Sequence, residues 1–517
     1  MENKADIEMK ESNGVPEHTI VDRLPLVENG EIAKPLANSN YCMWTLFLSV
    51  SSVMMSTGIA VGAMNASMAI LGDFYNQTYY ERYDNYIPED TSLLLIALTV
   101  SGLLAGGILG ALSIGFILAR FSRKQSMAIM NLTNILAVAT LCIGGPLIPS
   151  YECIIIGRFI MGLFSGFGMN LIPIVVAEIS NQERQAFYLS LIGVNLSFGG
   201  LFGLVLGFKE ALGTEELWPI LLTISSAPSI AYLLALKWLP ETPSYLLRQG
   251  KRTQALQVLR KLRQNAQEEK LCQELAKIER EQRAHGEIKQ VPLITMFKST
   301  GYRRQLIAVV MVFMQAQLCG VNGVGMYTNR IFMSAGFNES SAITASTIVY
   351  SIQFVVALVG SGAVDRWGPK MINVISGSVM SASLVLLTVA MVTSAQVEFM
   401  LYVNIVAVTI YILSWACGIN LTLFPLLGAL TTEQTREVSF TFGGGIFWVL
   451  SWFVGFITPY FMEWMGPFAF FPWAILNAIF AAYVLIFIPD IKGKSREYIE
   501  SFVRKGKVNF CNCGATT

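Results

Sequence analysis

Long apolar runs separated by short charged stretches occupy the chain from residue 43 to residue 488. A helix needs about 20 apolar residues to cross the hydrocarbon core of a bilayer. Windows of that length are centred near residues 56, 105, 136, 165, 197 and 228, and again near 318, 352, 382, 413, 450 and 478. Backbone groups in lipid must be satisfied within their own segment, so the pattern predicts helices. The fold class is therefore an all-α membrane protein with two sets of six spans.

The same pattern divides the chain into five segments. They are a polar tail (1–42), a six-helix bundle (43–239), a charged linker (240–300), a second six-helix bundle (301–488) and a second tail (489–517). Leu256, Leu259 and Leu262 recur at helical spacing in the linker, and residues 268–283 are dense in charge. This predicts soluble linker helices, and the pattern favours a solvated tether over a regulatory docking site.

Composition supports a membrane location and excludes several kinds of function. Of 517 residues, 53% are hydrophobic and 14% charged, and the mean hydropathy of +0.53 implies more apolar surface than a soluble core buries. The net charge of +1 gives no field for nucleic acid. The only histidines, His18 and His285, lie in polar stretches, and most of the eight cysteines lie in or beside apolar runs. We expect no metal site, no disulfide framework and no cofactor.

Lys and Arg cluster in loops that fall on one side of the predicted bundle, which indicates the cytosolic side. These loops lie at 120–124, 184, 303–304, 366–370, 436 and 492–496. Both termini are then cytosolic, in what we expect to be the plasma membrane. The first opposite loop, residues 73–91, contains the sequon at Asn76, and a second sequon at Asn338 also maps outside. Both are candidates for N-glycosylation, whereas the sequons at Asn131, Asn195 and Asn420 lie within spans.

Charged motifs recur at corresponding helix ends of the two halves, as in an internally duplicated transporter. RFSRK (120–124) and DRWGPK (365–370) follow the second and eighth spans; PETPS (240–244) and PDIKGK (489–494) end the sixth and twelfth. Cations there can pair with carboxylates on neighbouring helix ends and hold the cytosolic gate closed. The predicted cytosolic charge network comprises Arg123, Glu178, Arg184, Glu241, Asp365, Arg366, Arg436 and Asp490.

Four further motifs are GAMNA (62–66), FYNQT (74–78), GRFIMG (157–162) and QLCGVNG (317–323). Together they resemble the facilitative hexose transporter (GLUT) family, which are sugar porters of the major facilitator superfamily. The resemblance covers roughly residues 43–500. It implies the major facilitator fold, with twelve transmembrane helices in two six-helix halves and a cytosolic helical linker. It also implies facilitative uniport of a hexose such as glucose or fructose by alternating access.

The resemblance implies a sugar site built mainly by the second half. Sugar hydroxyls need amides that donate and accept together, and the C–H face of the ring needs aromatic side chains. By alignment with family positions, the substrate-binding candidates are Gln317, Asn322, Gln353, Trp415, Phe424 and Trp448. Tyr327 resembles the outer gate, and the nearby glycines that would let the seventh span bend are Gly320, Gly323 and Gly325. The amides could instead serve as interhelical hydrogen bonds.

Several positions depart from the family pattern. Ala316 replaces the first of two successive glutamines, Ile192 lies near the place of a fifth-span glutamine, and Phe447 replaces an asparagine. The tenth-span segment that is proline-rich in the family reads GINLTLF (418–424). A site that lacks hydroxyl partners loses discrimination for that hydroxyl. The departures weigh against glucose and leave fructose, another polyol or a less polar solute open.

Energy coupling can be judged from acidic residues. Proton-driven relatives place a carboxylate in the first span near an arginine of the fourth, but here Arg158 is matched by Ala60, and no Asp or Glu lies within a predicted span. Uphill proton coupling then lacks a carrier, which favours a uniporter; neutral oxygens could still bind sodium. We expect Arg158 to be a buried cation surrounded by carbonyl groups or water.

Two other classes of function are possible. A non-transporting sugar sensor would use the site, which lacks several of the family's hydroxyl partners, for binding alone. Transport of a non-sugar polyol-like or organic solute is the second alternative. An intramembrane enzyme is disfavoured because the predicted bundle holds no paired carboxylates, histidine cluster or nucleophile arrangement. We expect the protein's partners to be a small sugar-like solute and the lipid bilayer; the pattern leaves the oligomeric state open.

Overall fold

The computed structural model describes residues 38–263, 266–287, 291–359, 367–394, 396–397, 399–491, 498 and 502. Its regular elements within these ranges are helices. They are α1 (Asn40–Tyr83), α2 (Glu89–Arg120), α3 (Arg123–Cys142), α4 (Tyr151–Ile179), α5 (Gln182–Leu206), α6 (Trp218–Ala235), α7 (Pro243–Arg248), α8 (Arg252–Leu262), α9 (Glu268–Glu287), α10 (Leu293–Lys298), α11 (Thr300–Leu318), α12 (Val321–Met326), α13 (Thr328–Ser334), α14 (Glu339–Val359), α15 (Pro369–Thr393), α16 (Met400–Cys417), α17 (Ile419–Leu430), α18 (Glu433–Met465) and α19 (Phe471–Phe487).

The all-α fold class is confirmed. Among the described residues, nine helical stretches are long and apolar enough to cross a membrane. Helices α5, α14 and α19 occupy the three remaining predicted centres, near 197, 352 and 478. Helix α19 has only 17 residues, which is at the short end of what spans a bilayer core. A helix therefore lies at each of the twelve centres that the apolar pattern predicts.

Small residues allow the helices of the first half to approach closely. A Cβ atom built on Gly106 of α2 would lie 1.9 Å from the carbonyl oxygen of Phe159 on α4, and one built on Gly162 of α4 would lie 2.1 Å from that of Leu103. Lipid supplies no hydrophobic force between helices, so van der Waals packing of such surfaces has to hold them together. The glycines are thus a packing requirement of the α2–α4 pair.

Two pairs of helices join the halves in the middle of the bundle. Helix α2 packs on α18, where the Trp448 ring fills the space beside Gly107. Helix α5 packs on α14, where the ring centroids of Phe198 and Phe354 lie 5.6 Å apart. Because each pair takes one helix from each half, a relative movement of the halves must rearrange these contacts.

The predicted outer loop at residues 73–91 is mostly helical, and that part of the sequence analysis is wrong. Helix α1 continues to Tyr83 and ends at Asp84, whose φ of 50° is left-handed. Its far end keeps a buried face, since Tyr75 and Thr78 are buried and the Tyr75 hydroxyl lies 2.8 Å from Thr99 Oγ1 of α2. Tertiary burial extends the helix past the apolar window. At its other end, α1 begins at Asn40, capped by Ser39.

The linker is packed and is not a free tether, so the solvated-tether interpretation is also wrong for α8 and α9. Leu259 and Leu262 of α8 and Leu271 of α9 are fully buried. Arg263 donates to the carbonyl oxygen of Ile179 at the end of α4, at 3.0 Å, and to Asn38 Oδ1, at 3.0 Å. The leucines that suggested an amphipathic helix therefore face protein. We call the side of the bundle with α7–α10 the linker side, and the opposite side the far side.

Candidate functional site

The seventh predicted span is broken, as its glycines predict. Helix α11 ends at Leu318, and Gly320 adopts a left-handed φ of 92° before α12 begins. A Cβ atom at Gly320 would lie 2.8 Å from Cγ of Trp473, so glycine is required for both conformation and space. The expectation that this span bends or unwinds is confirmed.

The break frees a backbone carbonyl inside the bundle, and two side chains satisfy it. The Tyr411 hydroxyl of α16 and Nδ2 of Asn477 of α19 each donate to the carbonyl oxygen of Cys319, both at 2.9 Å. Irregular backbone at membrane depth is tolerated only where protein or water satisfies its polar groups. These two donors hold the discontinuity in place.

The break also brings two of the predicted amides together. Asn322 Nδ2 on α12 donates to Gln317 Oε1 on α11, at 2.5 Å, and to Ser451 Oγ of α18, at 3.1 Å. Only 4% of the Gln317 side chain is exposed. Residues five apart do not face each other on a regular helix, so the cluster exists because the helix is broken. Amides and a hydroxyl can each donate and accept, as a polyhydroxyl ligand requires.

The remaining substrate-binding candidates occupy different surroundings. Trp448 is 7% exposed and is wedged between the halves beside Gly107, with Phe447 6.0 Å away in a T-shaped contact. Trp415 is half-buried and packs against the apolar core of the second half. Phe424 is 63% exposed, and Gln353 on α14 is half-buried. The structure brings Gln317 and Asn322 together but does not join Phe424 or Gln353 to them.

Beyond this cluster, a set of cross-half hydrogen bonds closes the far side. Asn65 Nδ2 of α1 donates to the carbonyl oxygen of Gly325, at 3.2 Å, which also accepts from the Tyr350 hydroxyl at 2.9 Å. Asn329 of α13 donates through its backbone N–H to Asn65 Oδ1, at 3.2 Å, and through Nδ2 to the Asn65 carbonyl oxygen, at 3.0 Å. The Asn65 amide therefore serves as donor and acceptor, and these bonds tie α1 to the broken seventh span.

Tyr327, the predicted gate residue, lies fully buried between α12 and α13, and its hydroxyl donates to the carbonyl oxygen of Gly455 at 3.2 Å. Gly323 is also constrained, because a Cβ atom there would lie 2.3 Å from Thr458 Oγ1. The sequence analysis missed Asn65, Asn329 and Ser451. Asn65 lies in the GAMNA motif but received no role; the available signal was a polar amide within an apolar run.

Arg158 is a buried cation with the carbonyl partners that we expect. It is 1% exposed, and its Nη1 donates to the carbonyl oxygen of Ala60 at 3.0 Å. A longer bond of 3.4 Å joins its Nε to the carbonyl oxygen of Thr99. None of the ion pairs between described residues includes Arg158. The guanidinium therefore ties α4 to α1 and α2 through the backbone.

Part of the predicted charge network forms on the linker side. Arg123 pairs with Glu178 at 3.0 Å, and the second carboxylate oxygen of Glu178 accepts from Thr242 Oγ1 at 2.6 Å. Glu241 instead accepts from the backbone N–H groups of Lys124 and Thr242, at 3.2 and 3.1 Å. These contacts join helix ends of the first half to each other and to the start of the linker, so the described portion of the network does not connect the two halves.

The other predicted members of the charge network are exposed or lie outside the described residues. Arg436 and Asp490 are exposed, and the side chain of Arg184 and all of Asp365 and Arg366 lie outside the described residues. The sequence analysis missed the buried pair of Arg263 with Glu274, at 2.6 Å. This pair was not predicted because the charge pattern of the linker is typical of a solvated surface.

Both candidate glycosylation sites lie at the far side, in ordered surroundings. Asn76 lies within α1, and its Oδ1 accepts from the backbone N–H of Ile87 at 3.3 Å. Asn338 lies just before α14, and its Oδ1 accepts at 2.8 Å from the backbone N–H of Ser341 in the first turn of that helix. Glycosylation of either asparagine stays a prediction.

The known proteins to which this chain is similar are sugar transporters. Residues 44–502 match the family described as "Sugar (and other) transporter". The chain is 29% identical over 471 residues to facilitated glucose transporter member 5 of solute carrier family 2 from Rattus norvegicus, covering 90% of this chain and 92% of the relative. It is 28% identical to member 7 from Mus musculus, covering 88% of each.

Solved structures show the same fold. The partially occluded inward-open conformation of the xylose transporter XylE from E. coli superposes with a TM-score of 0.73, at 19% identity, over 88% of this chain and all of that one. The inward-open conformation of XylE gives a TM-score of 0.72, at 19% identity, over 89% and 99% of the two chains. The arrangement of helices is that of the major facilitator superfamily.

Proposed function

This chain belongs to the family of sugar (and other) transporters, and we propose that it carries a small neutral solute across a membrane by facilitative uniport, with a hexose such as glucose or fructose as the solute. The observation that carries the proposal is the cluster of Gln317, Asn322 and Ser451 at the break in the seventh span. It places three groups that can exchange hydrogen bonds with a sugar between helices of the second half. Of the three helices that hold the cluster, α18 meets the first half at Gly107, through the Trp448 ring.

Alternating access would proceed by rocking of the halves. The far-side bonds that Asn65 makes with Gly325 and with Asn329 join α1 to the seventh span. In the proposed cycle they break when the far side opens and re-form when it closes, with the break at Gly320 as the hinge. The positive-inside pattern makes the linker side cytosolic and the far side extracellular, at the plasma membrane.

The proposal of uniport is supported by the surroundings of Arg158. A proton-coupled site needs a titrating acid between the two access pathways. The nearest group from α1 is the Ala60 carbonyl, which accepts from Arg158 and cannot carry a proton. Protons should therefore not drive solute against its gradient.

Uptake into liposomes containing the purified protein tests the function. Radiolabelled glucose, fructose, a polyol and an organic acid are presented in turn, and we expect saturable uptake of a hexose that ends at equal concentrations on both sides. Gln317→Ala should abolish that uptake. Accumulation above the external concentration that collapses with a protonophore would contradict uniport.

The panel also separates the alternative functions. Saturable binding of a hexose without uptake would identify a sensor. Uptake of a less hydroxylated solute in preference to hexoses would fit Phe447, whose ring contacts those of Phe313 and Trp448 where the family carries an amide. Uptake unchanged by Gln317→Ala would show that the site lies elsewhere.

A further inference from the structure

An apolar groove opens on the linker side between the two halves, away from the candidate sugar site. It encloses about 720 Å³ and is bordered by α2, α10 and α18. The residues that line it include Leu112, Leu293, Val438, Phe442, Gly445 and Val449. The ring of Phe297 on α10 meets that of the lining residue Phe442 edge-on, with 5.6 Å between the ring centroids.

The groove lies beside exposed apolar side chains of α2 and α18. Leu112 and Phe116 of α2 and Val449 of α18 are exposed large apolar side chains. Ser451 and Trp448, by contrast, point to the amide cluster and to α2. An apolar recess that opens to the bilayer would be filled by hydrocarbon, because water gains no hydrogen-bonding partners there.

Two cations lie at the ends of helices that border the groove. Arg120 follows Leu112 and Phe116 at intervals of four residues, so the three share one face of α2, and the guanidinium of Arg120 lies 4.4 Å from the centre of the Phe116 ring. Lys298, the last residue of α10, is exposed. An acyl chain in the groove would leave its headgroup beside these cations, at the depth of lipid phosphates.

We propose that this groove binds one phospholipid of the leaflet on the linker side, with an acyl chain against α18 and the headgroup phosphate held by Arg120 and Lys298. Helix α2 belongs to the first half and α18 to the second, and they are in contact nearer the far side through Leu104 and Gly455. A bound chain would occupy the space into which the two helices would otherwise close. The lipid therefore favours the conformation that is open on the linker side.

Photocrosslinking of the full-length protein in phosphatidylcholine liposomes tests the site without any transport assay. A phosphatidylglycerol probe with a diazirine midway along one acyl chain is irradiated, and labelled peptides are identified by mass spectrometry. We expect labelling of residues 438–450 of α18 above that of the exposed face of α6 at Ile230 and Leu234. Labelling of both faces at the same level overturns the proposal.

Two neighbouring glycines supply a matched pair of variants. Cβ atoms built on Gly444 and Gly445 both meet open space, and only Gly445 lines the groove. Gly445→Leu should therefore fold, obstruct the groove and lower labelling of α18, whereas Gly444→Leu should retain it. Retained labelling in Gly445→Leu, with both variants folded, contradicts acyl-chain binding in the groove.

The headgroup assignment has its own control. A diacylglycerol that bears the same photoreactive chain lacks the phosphate, and we expect it to label α18 less than the phospholipid does. Arg120→Gln combined with Lys298→Gln should lower phospholipid labelling to the level of the diacylglycerol. Equal labelling by the two probes in the unmodified protein would overturn the role of the two cations.

Discussion

Trp448 shows how one side chain can define the contact between the halves. Its ring occupies the space that a Cβ atom at Gly107 would need, at 2.2 Å from Cζ3. The ring belongs to α18 and the glycine to α2, so neither helix can take a larger residue there without moving. The pair sets the distance between the halves beside the amide cluster.

Gly107→Ala should therefore lower the free energy of unfolding by about 1–3 kcal/mol, the usual cost of overpacking. Thermal unfolding of the purified protein measures the change. Gly115→Ala is the matched control, because a Cβ atom at Gly115 of the same helix meets nothing within 4 Å. In a Trp448→Ala background, Gly107→Ala should cost less, because the ring that the added Cβ atom meets is gone. Equal melting temperatures for the two glycine variants would contradict the steric argument.

At the scale of single elements, the interrupted seventh span is the feature from which the site derives. Its break depends on the left-handed Gly320 and on the donors that satisfy the Cys319 carbonyl, Tyr411 and Asn477. Without the break, Gln317 and Asn322 would point to different faces of one helix. The amide cluster is thus a product of backbone conformation.

Gly320→Ala should destabilise the protein by about 1–2 kcal/mol, the cost of a left-handed conformation for a residue with a Cβ atom, and the clash with Trp473 adds to this. It should also reduce the rate of hexose uptake, since the hinge is strained. Gly325→Ala serves as control for stability, because its Cβ atom would make only an ordinary contact, 3.6 Å from the Tyr350 hydroxyl. An unchanged melting temperature in Gly320→Ala would argue against a required glycine.

The linker is a second element whose role depends on buried charge. Arg263 Nη2 lies 2.6 Å from Glu274 Oε1, and 2% of the Arg263 side chain and 23% of the Glu274 side chain are exposed. The Arg260–Glu268 pair, at the same distance, is 61% and 54% exposed. Loss of one partner from a buried pair leaves an unsatisfied charge, but an exposed pair contributes little.

Arg263→Met should lower the local opening free energy of α8 and α9 by about 3 kcal/mol, while Arg260→Met should change it by less than about 1 kcal/mol. Amide hydrogen exchange of the two helices measures the difference. Similar exchange in both variants would show that the buried pair does not hold the linker against α4.

For the whole molecule, the far-side hydrogen bonds between Asn65 and Asn329 offer a direct test of alternating access. The two residues belong to different halves and are joined by bonds of 3.2 and 3.0 Å. If the halves must part there during each cycle, a covalent link between them should stop transport.

The double variant Asn65→Cys with Asn329→Cys should lose hexose uptake under mild oxidation and regain it with a reductant. Mass spectrometry of the cross-linked peptides verifies the disulfide, and the two single variants control for oxidation of native cysteines. Full uptake by a verified cross-linked protein would show that the far side does not open, and would contradict the proposed mechanism.

The sequence alone determined the features that repeat along the chain. Twelve apolar windows predicted the positions of twelve helices because bilayer thickness and backbone hydrogen bonding act on each segment separately. The glycines around Gly320 predicted a break in the seventh span, and the isolated Arg158 predicted carbonyl partners. Each of these depends on local chain properties that a single sequence records.

Only the tertiary structure decided which polar groups meet. Asn65, Asn329 and Ser451 gave no local sign of their partners, because those partners lie more than 100 residues away along the chain. The linker leucines indicated an amphipathic helix but not that its apolar face is covered by protein. Contacts of this kind depend on the packing of whole helices, and hydrophobic periodicity does not specify them.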